Sequence, residues 1–355
     1  MKQYRLSIIP GDGVGVEVVP EGLKAVRAAA DVTGSYGIET VDYPWSCEYY
    51  AKHGRMMDDD ALDRMRDSDA IFLGAIGFPG VPDHVSLWNM LLPIRQAFDL
   101  YINLRPTKLL PGIPGPLRDR TPADIDFVTI RENTEGEYCG VGGRIRPGTP
   151  DEVVTQTAFF TRKGTERVVR YAFDLAMTRK KQLVSCTKSN ALNYSMVFWD
   201  QVVAEVSRDY PEVSVQNQHV DALSARFVLN PQQLDVIVAS NLFGDILTDI
   251  GGALMGSLGL PASGNIDPSG KHPSLFEPVH GSAPGRAGKK LANPMATIIA
   301  ASMMLEQLGE HEAAKLVYAG VEHVAMHGPK TIDLGGEAKT HDVGDAVAAW
   351  IHSQK

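Results

Sequence analysis

In the decapeptide SNLFGDILTD (240–249), Asp245 and Asp249 stand four residues apart, a spacing that on a helix puts both carboxylates on one face, one turn apart. Like charges held that close repel, so something must offset them. The dipole at a helix N-terminus accounts for Asp245 in a helix expected to start there, but it fades beyond the first turn and leaves Asp249 unexplained. A hard divalent cation, held by two carboxylates and completed by water and ligand oxygens, accounts for both. Asp221, in QHVDALSA, is a candidate third oxygen donor, from this chain or from a second copy.

Three arginines form a second group: Arg95 in LLPIRQAFDL, Arg105 in YINLRP and Arg131 in VTIREN. Arg95 lies in an apolar helical stretch and the other two end β-type runs, where a buried guanidinium without a partner would be costly. Each planar fork can grip a carboxylate with two parallel hydrogen bonds, so a convergent trio would receive a small dicarboxylate. Taken singly, each arginine reads better as a surface salt bridge in an acidic protein. Lys188 (SCTKSN) follows an apolar strand at the place where α/β folds build their sites. Desolvated there among cations it would act as a base; without such neighbours it is a solvated lysine. Tyr138 (EGEYCG) is the remaining titratable candidate.

Two loops complete the set. IIPGDGVGVEVV carries Gly11, Gly13 and Gly15 after a strand and before a helix. Its spacing is G-x-G-x-G, and no acidic residue ends a second strand at the usual distance, so the ordinary dinucleotide fingerprint is absent and a tight strand-to-helix turn is the better reading. FEPVHGSAPGRAGKKLANP (276–294) is rich in small residues and proline around His280, a loop in which backbone can approach a ligand closely.

The elements that must position these residues alternate. β-branched runs (RLSIIP, AIFLGAIG, DIDFVTI, KQLVSC, LDVIVAS) are interleaved with amphipathic stretches, which predicts an α/β protein with much parallel sheet. From Leu291 onward the pattern is almost wholly helical. Between 133 and 160 it breaks into turn-rich alternation, as in a hairpin arm whose exposed edges pair with another subunit or, equally, in an irregular surface loop. LLPGIPGPLRDRTP (109–122) reads as a connection over the surface.

A chain of 355 residues, 44% of them hydrophobic, is long enough for two domains. No run is long enough to span a bilayer or serve as a secretory signal, which makes a cytoplasmic location the default expectation. The net charge of −9 argues against nucleic acid as a partner. Cys47, Cys139 and Cys186 have no paired spacing and are expected to be reduced.

Taken together, PGDGVG, LLPIRQAFDLYINLRP, IRENTEGEY, TKSN, SNLFGDILTD, FEPVHGSAP and ANP, in that order over essentially the whole chain, resemble the β-decarboxylating dehydrogenases. DHVSLW, TEGEY and GVGGR look most like the tartrate/D-malate branch of that family. The resemblance implies an isopropylmalate dehydrogenase-like two-domain fold: a mixed, largely parallel sheet flanked by helices, with a β-arm for dimerisation at 133–160. Residues 1–101 and 256–355 would form the cofactor-binding domain, and 102–255 the substrate, metal and dimerisation domain.

By the same resemblance Arg95, Arg105 and Arg131 would clamp the substrate carboxylates. Lys188 would take the C2 hydroxyl proton, and Tyr138 would protonate the enolate left after CO2 departs. Asp245, Asp249 and, from the other subunit of a homodimer, Asp221 would hold Mg2+ or Mn2+, with K+ as an optional further cation. NAD would lie on Glu277, His280, Gly281, Ser282, Ala283 and Asn293, with Asn190 nearby.

One departure concerns the cofactor. NAD-using members commonly carry an acid directly after HGSAP, where this chain has Gly285 and then Arg286, so NADP stays open although the rest of the loop looks like that of NAD users. Substrate choice is expected in SLWNMLL (86–92): Trp88 and Leu91 would disfavour a third carboxylate, which is expensive to bury unpaired, and Trp88 would leave room only for hydrogen or hydroxyl at C3. That points to D-malate or tartrate, with 3-isopropylmalate as the alternative. A catalytically silent dicarboxylate-binding protein would need the arginines but not Lys188, Tyr138 and the aspartates together, and a metal-free Rossmann dehydrogenase lacks its fingerprint here.

Overall fold

The β-branched runs all become strands, and the computed structural model, which describes residues 1–355, joins ten strands in one sheet. In chain order the strands are β1 (Lys2–Gly11), β2 (Tyr36–Asp42), β3 (Ala70–Ala75), β4 (Ile102–Lys108), β5 (Asp126–Glu132), β6 (Gly136–Ile145), β7 (Val153–Phe159), β8 (Gln182–Thr187), β9 (Ser214–His219), β10 (Val236–Ala239), β11 (Ala262–Ile266) and β12 (Ser274–Pro278). The sheet runs β2-β1-β3-β12-β11-β4-β5-β10-β8-β9. Within β2-β1-β3-β12 every pairing is parallel, as it is within β5-β10-β8-β9. Three antiparallel pairings through β11 and β4 join these two blocks. Strands covered on both faces need apolar residues at every position rather than at alternate ones, and β3 and β10 are buried from end to end.

The C-terminal helices Met295–Gln307, His311–His327 and Thr340–His352 pack with the helix Gly15–Thr33 over the first block. Helices Arg162–Met177, Ser195–Val206, Val220–Leu229 and Asn241–Leu254 accompany the second. The largest of three apolar clusters extends from β1 through β5 and β10 into the C-terminal helices, so both blocks share one core. The three cysteines are free.

Strands β6 and β7 pair antiparallel as a separate ribbon. Its apolar side chains stay in solvent, Ile145 at 61% and Val154 at 60% exposure.

Two local expectations are corrected. The helix expected from 245 begins at Asn241, so Asp245 lies in its second turn and the dipole does not account for it. Asn241 and Gly244 are weak helix formers, which hid the true start. The connection 109–122 is irregular but not merely superficial, because Leu109, Leu110 and Ile113 are buried in the core.

The segment bearing Arg95 is one continuous helix in three parts. An α-turn at Asp83–Ser86 widens into a π-helical turn at Leu87–Leu91 and returns to α over Leu92–Ala97. Such turns often mark functional sites. Trp88, 38% exposed, sits on the π-turn. Its ring would lie 2.9 Å from a Cβ placed on Gly140 of β6, where φ is +77°. Only glycine admits that contact.

Candidate active site

The inner ends of β4 and β5 and the start of helix Asn241–Leu254 converge on Asp245. Arg105 donates to Asp245 Oδ1 at 3.3 Å and to Thr248 Oγ1 at 2.6 Å. Arg131 also donates to Asp245 Oδ1 and spends Nε and Nη2 on Asn241 Oδ1 at 3.0 and 2.7 Å. Tyr138, on β6, donates its hydroxyl to Asp245 Oδ2 at 3.1 Å, with the Arg131 guanidinium 5.5 Å from its ring centroid. A Cβ on Gly244 would lie 2.7 Å from the Arg131 side chain. Glycine inside this helix is what lets β5 and its arginine come so close.

Arg95 is reached differently. It is buried, donates Nη2 to Glu277 Oε1 at 3.2 Å and keeps a buried Nε without a partner.

Burial works against every charge in this cluster. It pushes the Arg105 and Arg131 guanidiniums below their ordinary range, and for Arg131 the neighbouring Arg105 adds to the effect. Burial would also raise Asp245, but Arg131 and Arg105 outweigh it and hold that carboxyl below the ordinary value. Burial, then Asp245, pushes the Tyr138 phenol up. The cluster is a cationic receptacle built around one braced carboxylate.

Asp249, one turn on, is exposed and faces a cavity of about 760 Å³. No three His, Cys, Asp or Glu side chains converge within the chain. Asp221 lies elsewhere: its Oδ1 accepts a 2.6 Å hydrogen bond from Lys188 Nζ, which lowers the carboxyl below its ordinary value. Asp245 and Asp249 therefore supply two hard oxygen ligands of the kind Mg2+ or Mn2+ takes, one of them facing open space, and a single copy supplies no third. Lys188 and Asp221 form a pair with no hydrogen bond or ion pair to the arginine cluster.

The same cavity is walled by His280, Gly281, Ala283, Arg286, Asn293 and Asp333. The glycine-rich turn supports this wall from behind, Val14 N–H donating to Ser282 O at 2.9 Å. Ser282 is buried; burial lowers the His280 imidazole below its ordinary value, and its Nδ1 donates to Gly281 O at 3.0 Å. Glu277 is bound to Arg95 and Asn265 rather than to the cavity, and Asn190 is exposed in a separate groove beside Asp200 and His219. Leu91 is half-buried against the second-largest apolar cluster.

Sequence reasoning missed several participants. Asn241 and Thr248 hold the two arginines of the cluster, and Asp333 ties Ser257, Asn293 and Thr331 together at the cavity wall. Asn103 and Asn265, hydrogen-bonded to each other across β4 and β11, gave no signal in strands as polar as INLRPTK and ASGNI, and Asp333, in the 3-10 turn Ile332–Leu334, gave none either.

A family model described as isocitrate/isopropylmalate dehydrogenase matches residues 5–347. The chain belongs to the isocitrate/isopropylmalate dehydrogenase family. It is 51% identical over 359 residues, 99% of each chain, to a D-malate dehydrogenase [decarboxylating] of Escherichia coli. It is 51% identical over 352 residues, again 99% of each, to a probable tartrate dehydrogenase/decarboxylase of Bacillus subtilis. An isocitrate dehydrogenase from Methylococcus capsulatus, 34% identical, superposes with a TM-score of 0.87 over 98% of this chain and 99% of that one. A β-decarboxylating dehydrogenase from Thermococcus kodakarensis, 33% identical, gives 0.78 over 99% and 96%. As a member of this dehydrogenase family the chain is an oxidoreductase with the family's mixed, mostly parallel sheet flanked by helices. No helix is long and apolar enough to cross a membrane.

Proposed function

We propose that this chain carries out metal-dependent, NAD-linked oxidative decarboxylation of a (2R)-hydroxy diacid, D-malate or tartrate, D-malate yielding pyruvate and CO2. The observation that carries this reading is Asp245, braced by Arg105, Arg131 and Tyr138 beside the cavity-facing Asp249. The names of the relatives half identical to it, D-malate and tartrate dehydrogenases, favour the substrate.

In this reading Arg95, Arg105 and Arg131 bind and orient the two carboxylates. Lys188 accepts the proton of the C2 hydroxyl, and Tyr138 returns a proton to C3 once CO2 has left. Asp245 and Asp249 would hold a divalent cation, which would supply Lewis-acid chemistry, and the 276–294 loop would hold NAD, which would supply the hydride acceptor. The 2.6 Å Lys188–Asp221 pair has a consequence: if Asp221 completes the metal site from a second copy, Lys188 arrives with it. The shared site then requires a homodimer, clasped in this proposal by the exposed β6–β7 arm.

We further propose the division into 1–101 with 256–355 and 102–255, which cuts the sheet between β11 and β4 and leaves five neighbouring strands on each side. A cytoplasmic location accords with the absence of a membrane-crossing helix.

Cofactor choice turns on Gly285, where a Cβ would meet nothing; the fold does not demand glycine there. NAD is favoured because TIDLGG (331–336) brings Asp333, not a cation, to the cavity wall.

The test is reduced-cofactor formation with Mn2+, using D-malate, the tartrate stereoisomers, 3-isopropylmalate and isocitrate, each with NAD+ and NADP+, while CO2 is recorded. Metal-dependent NADH formation with D-malate or tartrate is expected, with equimolar CO2 for D-malate. Preference for 3-isopropylmalate would overturn the role given to Trp88, and turnover that survives EDTA would overturn the metal.

A further inference from the structure

Arg105 on β4 and Arg95 on the helical stretch Leu92–Ala97 belong to different elements, yet an unbroken file of hydrogen-bonded side chains connects them. Arg105 Nε donates to Asn103 Oδ1 at 2.6 Å, and Asn103 Nδ2 donates to Asn265 Oδ1 at 2.9 Å. Asn133 Nδ2 donates to that same oxygen at 2.9 Å. Asn265 Nδ2 donates to Glu277 Oε1 at 2.9 Å, and Arg95 Nη2 donates to that carboxylate oxygen at 3.2 Å. All three asparagines are fully buried. Asn103 and Asn265 are direct register partners across the β4–β11 joint, and Asn103 is paired in turn with Arg131 on β5.

The direction of every link follows from chemistry. A guanidinium has donors only, so Asn103 must turn its oxygen to Arg105 and its NH2 to the next residue. Asn265 must then present oxygen to Asn103 and NH2 to Glu277, whose carboxylate can collect donors from both sides. Apolar residues of similar size would fill this space without the cost of burying amides. What paired amides add is fixed orientation across the joint.

We propose that Asn265 is a positioning residue: it sets the separation of Arg95 from Arg105 and Arg131, and so the spacing at which the site grips two carboxylates. This rests on the diacid reading above. The near-isosteric Asn265→Asp turns the donor facing Glu277 into an oxygen, so two carboxylates confront one another and Arg95 loses its anchor. The KM for the diacid should rise about tenfold or more, as for loss of a charged hydrogen bond, with a smaller change in kcat and in the KM for NAD+.

A KM within twofold of the parent in Asn265→Asp, even with a lowered Tm, would overturn the proposal, as would an Arg95 guanidinium in its parental position in a crystal structure of that variant. Should the parent turn over none of the diacids, the substrate reading fails and the network is judged by crystallography of Asn265→Asp. A displaced Arg95 guanidinium supports it; an Arg95 in its parental position overturns it.

Discussion

Gly244 shows how far single residues here serve the site rather than their own element. Inside a helix, glycine is worth about 1 kcal/mol less than alanine, so Gly244→Ala would normally stabilise. Here the added methyl would meet Arg131 at 2.7 Å, and the strand carrying that arginine is pinned in the sheet between β4 and β10. The expected outcome is a diacid KM at least several-fold higher with no gain in Tm. A variant more stable than the parent, with an unchanged KM, would show that Arg131 is free to move. Lys188→Ala and Tyr138→Phe should both lose overall turnover, while Tyr138→Phe retains more reduction of the 2-keto diacid, since its role comes after hydride transfer. Equal, near-native turnover in the two variants would refute both roles.

Among the elements, the short helices Cys47–His53 and Ala61–Arg66 lie between β2 and β3 and are tied together by one carboxylate. Asp58 accepts from Trp45 Nε1 at 3.3 Å, Tyr49 Oη at 2.5 Å, Arg55 at 3.2 Å and Arg64 at 3.0 Å. The Tyr49 and Trp45 hydrogen bonds hold its carboxyl below the ordinary value. A carboxyl depressed in the folded state contributes stability above its unfolded value, near 4, and loses it as pH falls through the folded one. Asp58→Asn should therefore lower Tm at pH 7, with the gap closing below about pH 4. A gap that is constant with pH, measured by calorimetry, would mean the side chain's shape matters and its charge does not.

Elements of this kind were legible to different degrees. The buried strands could be read because parallel sheet covered on both faces needs unbroken apolar runs, and AIFLGA and VIVA supply them. The start of the Asp245 helix was masked by NLFG, whose residues answer to Arg131. The π-turn at 87–91 has no local signature, since its cause lies in what packs around it. Arg105, Arg131, Tyr138 and Asp245 could be named from motifs, but their meeting on one carboxylate depends on strands far apart in sequence. The asparagine file could not be seen until β4 and β11 were known to be neighbours.

For the whole molecule the decisive fact is that the candidate chemistry is split. One copy gathers Tyr138, Arg105 and Arg131 on Asp245, with Asp249 one turn on at the cavity, and holds Lys188 with Asp221 apart from them. If the two groups meet only across a two-fold axis, each active site draws from both copies. Lys188→Ala and Asp249→Asn would then each abolish activity alone. In a mixed dimer, however, one of the two sites would combine the intact Asp249 of the first variant with the intact Lys188 of the second. Random reassociation of equal amounts makes half the dimers mixed, each with one working site, so about a quarter of the parental activity should return. Sites complete within a single copy predict no recovery at any mixing ratio. The experiment therefore separates a shared site from a dimer that merely packs, and it needs no knowledge of which diacid the enzyme prefers beyond one that it turns over.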